Sequence, residues 1–159
     1  MIKPHWHKHT YQAEFTPTHY PFLLGSKGIV YNDKKEVLVL WSSELDPAHP
    51  KRVDLPGGQV EHNETVFEAG AREVWEETNL EVENIQIVHA TSHNDPIIDA
   101  GQHVMMFWFL AKYTKGEIEL SWEHDKFAWL PINEALEQLG WPPPHKEALL
   151  KVKEILADI

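Results

Sequence analysis

Cysteine is absent from the 159 residues of this chain. Its absence excludes a disulfide framework and any zinc site built from thiolates. No run of apolar residues approaches the ~18 that a membrane-spanning helix needs, and the first residues, MIKPHWHKHTYQ, lack the pattern of a signal peptide. We therefore expect a cytoplasmic protein with no membrane as a partner.

Positive charge is scarce, with 14 Lys and Arg against 25 Asp and Glu and a formal net charge of −11 at pH 7. Proteins that bind the phosphate backbone of long nucleic acids use clusters of Lys and Arg. Long nucleic acid is therefore not an expected partner. If this protein handles a smaller phosphate compound, a bound cation must bridge the two negatively charged partners.

The composition, with 42% apolar and 25% charged residues, is that of a globular chain, and its length predicts a single domain over residues 1–159. Residues 1–20 are predicted to form an N-terminal arm or an edge strand. Alternating His5, His7 and His9 raise the alternatives of a metal site and a solvated terminal segment, and the second is the commoner outcome.

Sequence periodicity predicts a mixture of strands and helices. Strands are expected at 23–31, 37–41, 85–90, 104–113 and 127–130, and helices at 65–78, at 133–139 with Asn133 as a cap, and in the last 18 residues. The segment HPKRVDLPGG is predicted to break regular structure. Such a mixture indicates an α/β (α+β) fold with sheet and helices in a sandwich.

The helix predicted at 65–78 lies in a segment, 57–80, that contains six glutamates and one arginine. Four of its residues recur at helical spacing and predict an apolar stripe for the core, namely Phe67, Gly70, Ala71 and Val74. Glu73, Glu76 and Glu77 lie close together on another side of the axis. Such an oxygen cluster suits Mg²⁺ or Mn²⁺. A solvated acidic face is the alternative.

Residues around this helix add to the pattern. The pair Gly57-Gly58 permits a tight backbone path before the helix, as a loop that approaches phosphate requires. Arg72 stands beside the carboxylates, where it can pair with one of them. Asn79 is placed where the helix should end, in a position that often takes the left-handed conformation.

The spacing of the residues in this segment resembles the Nudix box of the Nudix hydrolase family. It consists of Gly58, five residues, Glu64, seven residues and then Arg72-Glu73-Val74-Trp75-Glu76-Glu77-Thr78-Asn79-Leu80. The 23-residue signature, here residues 58–80, matches at every charged position. It departs at Asn79, where the family usually has glycine. The LPGG lead-in and the later FAWLPINEAL resemble the family as well, so that the likeness covers roughly residues 20 to 155.

The resemblance implies a mixed β-sheet sandwiched between helices and an enzyme that hydrolyses phosphoric anhydride bonds with Mg²⁺ or Mn²⁺. It implies the following roles: metal ligands Glu73, Glu76 and Glu77, with Glu64 lending further negative charge or a water-mediated contact; Arg72 orienting Glu73; Gly57 and Gly58 shaping the loop that meets the substrate; and Glu123 as a general base. By chemistry, Glu117, Glu119 and His124 are other candidates for the base.

The substrate implied is a nucleoside diphosphate linked to another group, with a nucleoside triphosphate as the first expectation. Pro96 resembles a proline of members that hydrolyse ADP-ribose, which leaves an ADP-ribose or nucleotide-sugar pyrophosphatase as an alternative. An alternative of another class is a non-catalytic, nucleotide-sensing domain. Members of the family are often dimers, so a homodimer is an open expectation. No aromatic residue is assigned to base stacking.

Overall fold

The computed structural model describes residues 22–46, 50–94, 103–139 and 143–159. The predicted N-terminal arm, with the alternating His5, His7 and His9, and Pro96 lie outside these residues. The strands are β1 (Phe22–Tyr31), β2 (Glu36–Ser42), β3 (Val53–Asp54), β4 (Glu81–Asn94), β5 (His103–Lys115) and β6 (His124–Pro131). The helices are α1 (Val66–Thr78), α2 (Ile132–Gln138) and α3 (Pro143–Asp158).

The six strands form one mixed sheet in the order β3–β2–β1–β5–β4, with β6 paired to β2. Strands β1 and β5 run parallel, from the pair Phe22↔His103 to the pair Tyr31↔Lys112. The pairings of β2 with β1, β3 and β6, and of β4 with β5, are antiparallel. The parallel pair therefore lies in the middle of the sheet and joins its two antiparallel parts.

Side chains alternate between the two faces of the central strands, and each face carries its own core. Ile29 and Trp108 belong to one cluster, which includes residues of α2 and α3. Their neighbours Val30 and Phe109 belong to the other cluster, which includes Val74 of α1. The sheet thus lies between α1 on one face and α2 and α3 on the other. This confirms the predicted sandwich.

Two expectations about the helices are wrong. Phe67 was expected in the apolar stripe of α1, but it is 43% exposed. It lies in the first turn, before the residues of α1 that the sheet covers, and the buried residues begin at Ala69. Asn133 does not cap α2, because the helix follows β6 directly and Pro131 is its N-cap, without a side-chain hydrogen bond.

One strand was missed and others were predicted too short, among them β6, which covers 124–131 rather than 127–130. Strand β4 extends over 81–94 because it pairs with β5 along almost its whole length, and such pairing overrides local propensity. Val53 and Asp54 form a strand inside the segment expected to be irregular, through their pairing with Trp41 and Leu40. None of the helices within the described residues is long and apolar enough to cross a membrane.

Candidate functional site

Helix α1 carries most of the glutamates of the box, and both of its ends are capped. Thr65 Oγ1 accepts a hydrogen bond from Glu68 N at 3.2 Å, and the Glu68 carboxylate accepts one from Thr65 N at 2.7 Å, which together form a capping box. Asn79 adopts the left-handed conformation, with φ of 60°, and its N–H donates to Trp75 O at 2.7 Å. The predicted helix stop at Asn79 is confirmed.

The glycine pair before α1 lies against both β1 and the helix. Gly57 has φ of +143°, which favours glycine, and a Cβ there would collide with the carbonyl oxygen of Ser26. A Cβ on Gly58 would lie 2.6–2.8 Å from the carboxylate atoms of Glu73. Ser26 N donates to Gly58 O at 2.8 Å, which fixes the loop to β1. Both glycines are therefore needed for the loop to approach the glutamates.

Arg72 gathers three of the box glutamates. Its Nε and Nη2 donate to the two oxygens of Glu64 at 3.0 and 2.7 Å, and its Nη1 donates to Glu73 and Glu76, each at 2.9 Å. Nη2 also donates to the carbonyl oxygen of Gln59 at 3.0 Å. All five N–H groups of the guanidinium are thereby used. Hydrogen bonds to these carboxylates raise the pKa of Arg72, which therefore stays positively charged. Its positive charge offsets part of their negative charge.

Glu73 and Glu77 are the box carboxylates most removed from water. Burial raises the pKa of Glu73, although Arg72 opposes the shift. Burial, together with the neighbouring Glu73, raises the pKa of Glu77 to about 8. The Glu77 side chain is only 7% exposed and accepts a hydrogen bond from Gly57 N at 3.2 Å. A buried carboxylate in this position is costly to ionise unless a cation lies beside it.

The segment before β6 lies across the C-terminal end of α1. Ser121 N donates to Glu77 O at 3.0 Å, and Glu119 N donates to Thr78 O at 3.1 Å. The carbonyl oxygen of Glu123 accepts a hydrogen bond from Ser43 N at 2.7 Å, which ties the segment to the end of β2. These bonds bring Glu123 and the residue that follows it to the side chain of Glu77.

One cluster among the described residues has the arrangement of a metal site. Ligand atoms of Glu77, Glu123 and His124 all lie within 4.8 Å of one another. Glu64, Glu73 and Glu76, which are predicted as ligands with Glu77, form ion pairs with Arg72. The structure therefore brings Glu77, a predicted ligand, close to Glu123, the predicted base, and to His124. The roles of the other glutamates stay predictions.

His124 is almost fully buried in this cluster, with a side chain that is 7% exposed. Its Nε2 lies 3.9 Å from Glu77 Oε2, and its Nδ1 is buried with no hydrogen-bond partner among the described residues. Burial, followed by the nearby ammonium of Lys27, lowers the pKa of His124. The ring is therefore neutral at pH 7, which is the form that can bind a metal ion.

Sequence reasoning missed an ion pair beneath the glycine loop. Lys27 Nζ donates to Asp54 Oδ2 at 3.0 Å and to the carbonyl oxygens of Leu55 and Gly57, each at 3.1 Å. Burial disfavours the charged forms of Lys27 and Asp54, but the attraction between the two groups is stronger than this effect. The pKa of Asp54 is held well below its usual range, and the pKa of Lys27 is raised. Lys27 thus fixes the loop by two of its carbonyls.

Asp54 also connects this ion pair to helix α3. His145 Nε2 lies 3.0 Å from Asp54 Oδ1, and His145 Nδ1 accepts a hydrogen bond from Trp108 Nε1 at 2.8 Å. Because Nδ1 is the acceptor, the ring proton lies on Nε2, which is close to the carboxylate without the alignment of a hydrogen bond. The signal in the sequence that could have found this ion pair is a lysine in the mostly apolar strand β1.

Comparisons with known proteins agree with this geometry. Residues 23–152 match the NUDIX domain. The chain is 32% identical over 106 residues to an 8-oxo-(d)GTP phosphatase of Mycolicibacterium smegmatis, covering 65% of this chain and 32% of that protein. It is 22% identical over 130 residues to the 8-oxo-dGTP diphosphatase of Escherichia coli, covering 80% of this chain and 94% of that protein.

Solved structures share the fold. A MutT protein from Methanosarcina mazei aligns with a TM-score of 0.70 and 25% identity, over 87% of this chain and 97% of that chain. An Ap4A hydrolase from C. elegans aligns with a TM-score of 0.69 and 22% identity, over 86% and 99%. The second likeness shows the fold alone.

The sheet between helices, the box helix and the match over residues 23–152 define the class, and the chain belongs to the Nudix family. It spans about a third of the length of two of its relatives, the Mycolicibacterium smegmatis protein and Nudix hydrolase 8 of Arabidopsis thaliana. The latter is 27% identical over 127 residues, which cover 80% of this chain.

Proposed function

We propose that this protein is a metal-dependent pyrophosphohydrolase that cleaves the diphosphate linkage of a small nucleotide. The observation that carries the proposal is the cluster of Glu77, Glu123 and His124 beside the glycine loop. Because Glu77 is buried, its negative charge needs a cation, and a nucleotide diphosphate would bring further negative charge. A divalent ion satisfies both requirements.

The residues present fit such an ion. Carboxylate oxygens are the ligands that Mg²⁺ and Mn²⁺ prefer, and Glu77 receives no hydrogen bond from a cationic side chain in the described ranges. Lys27 is the nearest candidate, but its three donors are directed to Asp54, Leu55 and Gly57. A bound divalent ion would screen the diphosphate and lower the pKa of a water molecule.

The protein's own residues would position the reactants. Arg72 holds Glu73 and Glu76 in one arrangement. Glu123, on the segment that crosses the end of α1, would accept a proton from the attacking water, and its proximity to Glu77 supports this role. Gly57 and Gly58 keep the loop close to the carboxylates, where a phosphate group could approach the backbone.

We propose a nucleoside triphosphate as the substrate, because two relatives are named for such compounds. One, named for 8-oxo-dGTP, aligns with 80% of this chain, and the other, named for 8-oxo-(d)GTP, aligns with 65% of it. An ADP-ribose or nucleotide-sugar substrate is the alternative, and a nucleotide sensor is the alternative of another class. One domain, a cytoplasmic location and a homodimer stay predictions. So does the expectation that long nucleic acid is not a partner.

The test is product analysis with a panel of nucleoside triphosphates, 8-oxo-dGTP, ADP-ribose, dinucleoside polyphosphates and nucleotide sugars, each with Mg²⁺ or Mn²⁺. We expect metal-dependent release of a nucleoside monophosphate. Glu76→Gln should abolish it without unfolding the protein, because Glu76 is half exposed. Release of no product from any compound, with nucleotide binding intact by calorimetry, would establish the sensor instead.

A second pair of variants tests the base. Glu123→Gln should lower kcat by ~10²–10⁴-fold with little change in KM, which is the usual contribution of a general base. Glu119→Gln is the matched control, since Glu119 lies exposed in the same segment and outside the cluster. Equal activities of the two variants would exclude Glu123 as the base.

A further inference from the structure

His124 differs from the other members of the cluster because it offers nitrogen rather than oxygen. It is 93% buried by side chain, yet its Nδ1 has no hydrogen-bond partner within the described part of the chain, and its Nε2 lies 3.9 Å from Glu77 Oε2. A buried polar group without a partner is uncommon in folded proteins, because it loses its bonds to water without replacement. The arrangement therefore requires an explanation from outside the protein's own hydrogen bonds.

The distances suit a shared ion. Two donor atoms bonded to the same first-row ion at ~2.0–2.2 Å each lie ~3–4.4 Å apart. His124 Nε2 and Glu77 Oε2 are 3.9 Å apart, and the whole cluster with Glu123 falls within 4.8 Å. Glu123, within the same 4.8 Å, would then lie close enough to accept a proton from a water molecule on the ion. The backbone bonds of Ser121 and Ser43 hold the segment at this place.

The charges nearby favour the same conclusion. Lys27 does not occupy the space between Glu77 and His124 as a donor, because all three of its N–H groups are used elsewhere. Arg72 is likewise saturated by Glu64, Glu73, Glu76 and a backbone carbonyl. Within the residues that the structure describes, two carboxylates and one imidazole thus lie close together without a cationic side chain hydrogen-bonded among them.

We propose that His124 is a nitrogen ligand of the divalent ion and that it makes the site select a first-row transition ion such as Mn²⁺ over Mg²⁺. Mg²⁺ prefers oxygen ligands in strict octahedral geometry, whereas first-row transition ions accept imidazole readily. This inference rests on the metal site of the proposed function and adds its selectivity. It assigns to His124 a role that the box glutamates do not have.

The test uses Mn²⁺ itself as the probe. Electron spin-echo spectroscopy of the Mn²⁺-loaded protein should show modulation from a directly bound ¹⁴N nucleus. His124→Gln should remove this modulation and raise the Kd for Mn²⁺ by ~10-fold or more, while the Kd for Mg²⁺, measured by competition, changes by less than ~2-fold. The matched control is His62→Gln, since His62 is an exposed histidine outside the cluster.

Glu123→Gln keeps the imidazole and serves as a second variant. It should leave the ¹⁴N modulation in place, which separates loss of the nitrogen ligand from loss of the fold. Bound Mn²⁺ without ¹⁴N modulation in the wild-type protein, or modulation that survives in His124→Gln, would overturn the inference. A protein that shows the modulation but hydrolyses nothing would sink the proposed enzyme and leave the ligand assignment in place.

Discussion

Glu77 is a residue whose ionisation opposes folding when no metal ion is bound. Its carboxylate lies under the glycine loop with one hydrogen bond from Gly57 N, and burial raises its pKa to about 8. In the unfolded chain it would titrate as an ordinary glutamate near ~4.3. Between these values the folded protein holds a proton that the unfolded chain has released. Stability therefore falls as the pH rises through this window.

We predict that, in EDTA, the stability of the wild-type protein falls relative to that of Glu77→Gln between about pH 5 and pH 8. The slope should approach ~1.4 kcal/mol per pH unit inside the window. The amide keeps an acceptor for Gly57 N but has no proton to release. Thermal unfolding at a series of pH values measures the difference. Glu76→Gln, which is half exposed, is the control, and parallel curves for all three proteins would contradict the prediction.

The residues of the box could be recognised from the sequence because their spacing is local. Glu73, Glu76 and Arg72 lie within two turns of one helix, so helical geometry alone brings them together. Lys27 and Asp54 could not be found this way, because only the completed sheet places β1 beside the loop. The cluster of His124 with Glu77 has the same origin, although the sequence already indicated His124 as a candidate base.

At the scale of the element, the end of α1 depends on one backbone conformation. Asn79 has φ of 60°, and its side-chain Nδ2 donates to Glu117 O at 3.3 Å on the surface. A left-handed residue costs little for glycine and more for a residue branched at Cβ. The stop therefore depends on the backbone freedom of this position more than on its side chain.

We predict that Asn79→Gly changes the free energy of unfolding by less than ~0.5 kcal/mol. Glycine adopts the left-handed conformation at lower cost, and this gain offsets the loss of the exposed hydrogen bond to Glu117 O. Asn79→Val should lower the free energy of unfolding by ~1–2 kcal/mol. Urea unfolding followed by circular dichroism measures both. Equal losses in the two variants would show that the amide side chain, and not the conformation, ends the helix.

Elements were predictable from the sequence where a local pattern decided them. The bounds of β1, β2 and α1 agree with prediction to within a residue or two, because strand alternation and caps specify them. Strand β4 was underestimated by eight residues, since its polar flanks become strand only by pairing with β5 (14 found against 6 expected). The exposure of Phe67 depends on where the sheet ends relative to α1, which no local pattern encodes.

At the scale of the whole molecule, one largely buried network joins the glycine loop to helix α3. Asp54 contacts Lys27 beneath the glycine loop and His145 of α3, and His145 contacts Trp108 of the central strand β5. The glycine loop and helix α3 are therefore connected through polar groups that are largely shielded from water. Removing the carboxylate leaves the Lys27 ammonium buried without its partner.

We predict that Asp54→Asn lowers the free energy of unfolding by ~3–5 kcal/mol, the usual cost of breaking a buried ion pair. The matched control is Asp33→Asn, because Asp33 is 89% exposed and pairs with Lys112 on the surface. It should cost less than ~1 kcal/mol. Urea denaturation of both variants provides the comparison. A loss below ~1 kcal/mol in Asp54→Asn would show that the network does not bind the layers together.

The parallel pairing of β1 with β5 has a consequence for how the protein is made. During synthesis, β1 and helix α1 leave the ribosome before residue 103, where β5, the parallel partner of β1, begins. Contacts between such distant segments slow folding, because a long loop must close before they form. The apolar residues of β1 and α1 therefore stay exposed until β5 has been synthesised and the core can form. In this interval the nascent chain depends on its charge, or on chaperones, to avoid aggregation.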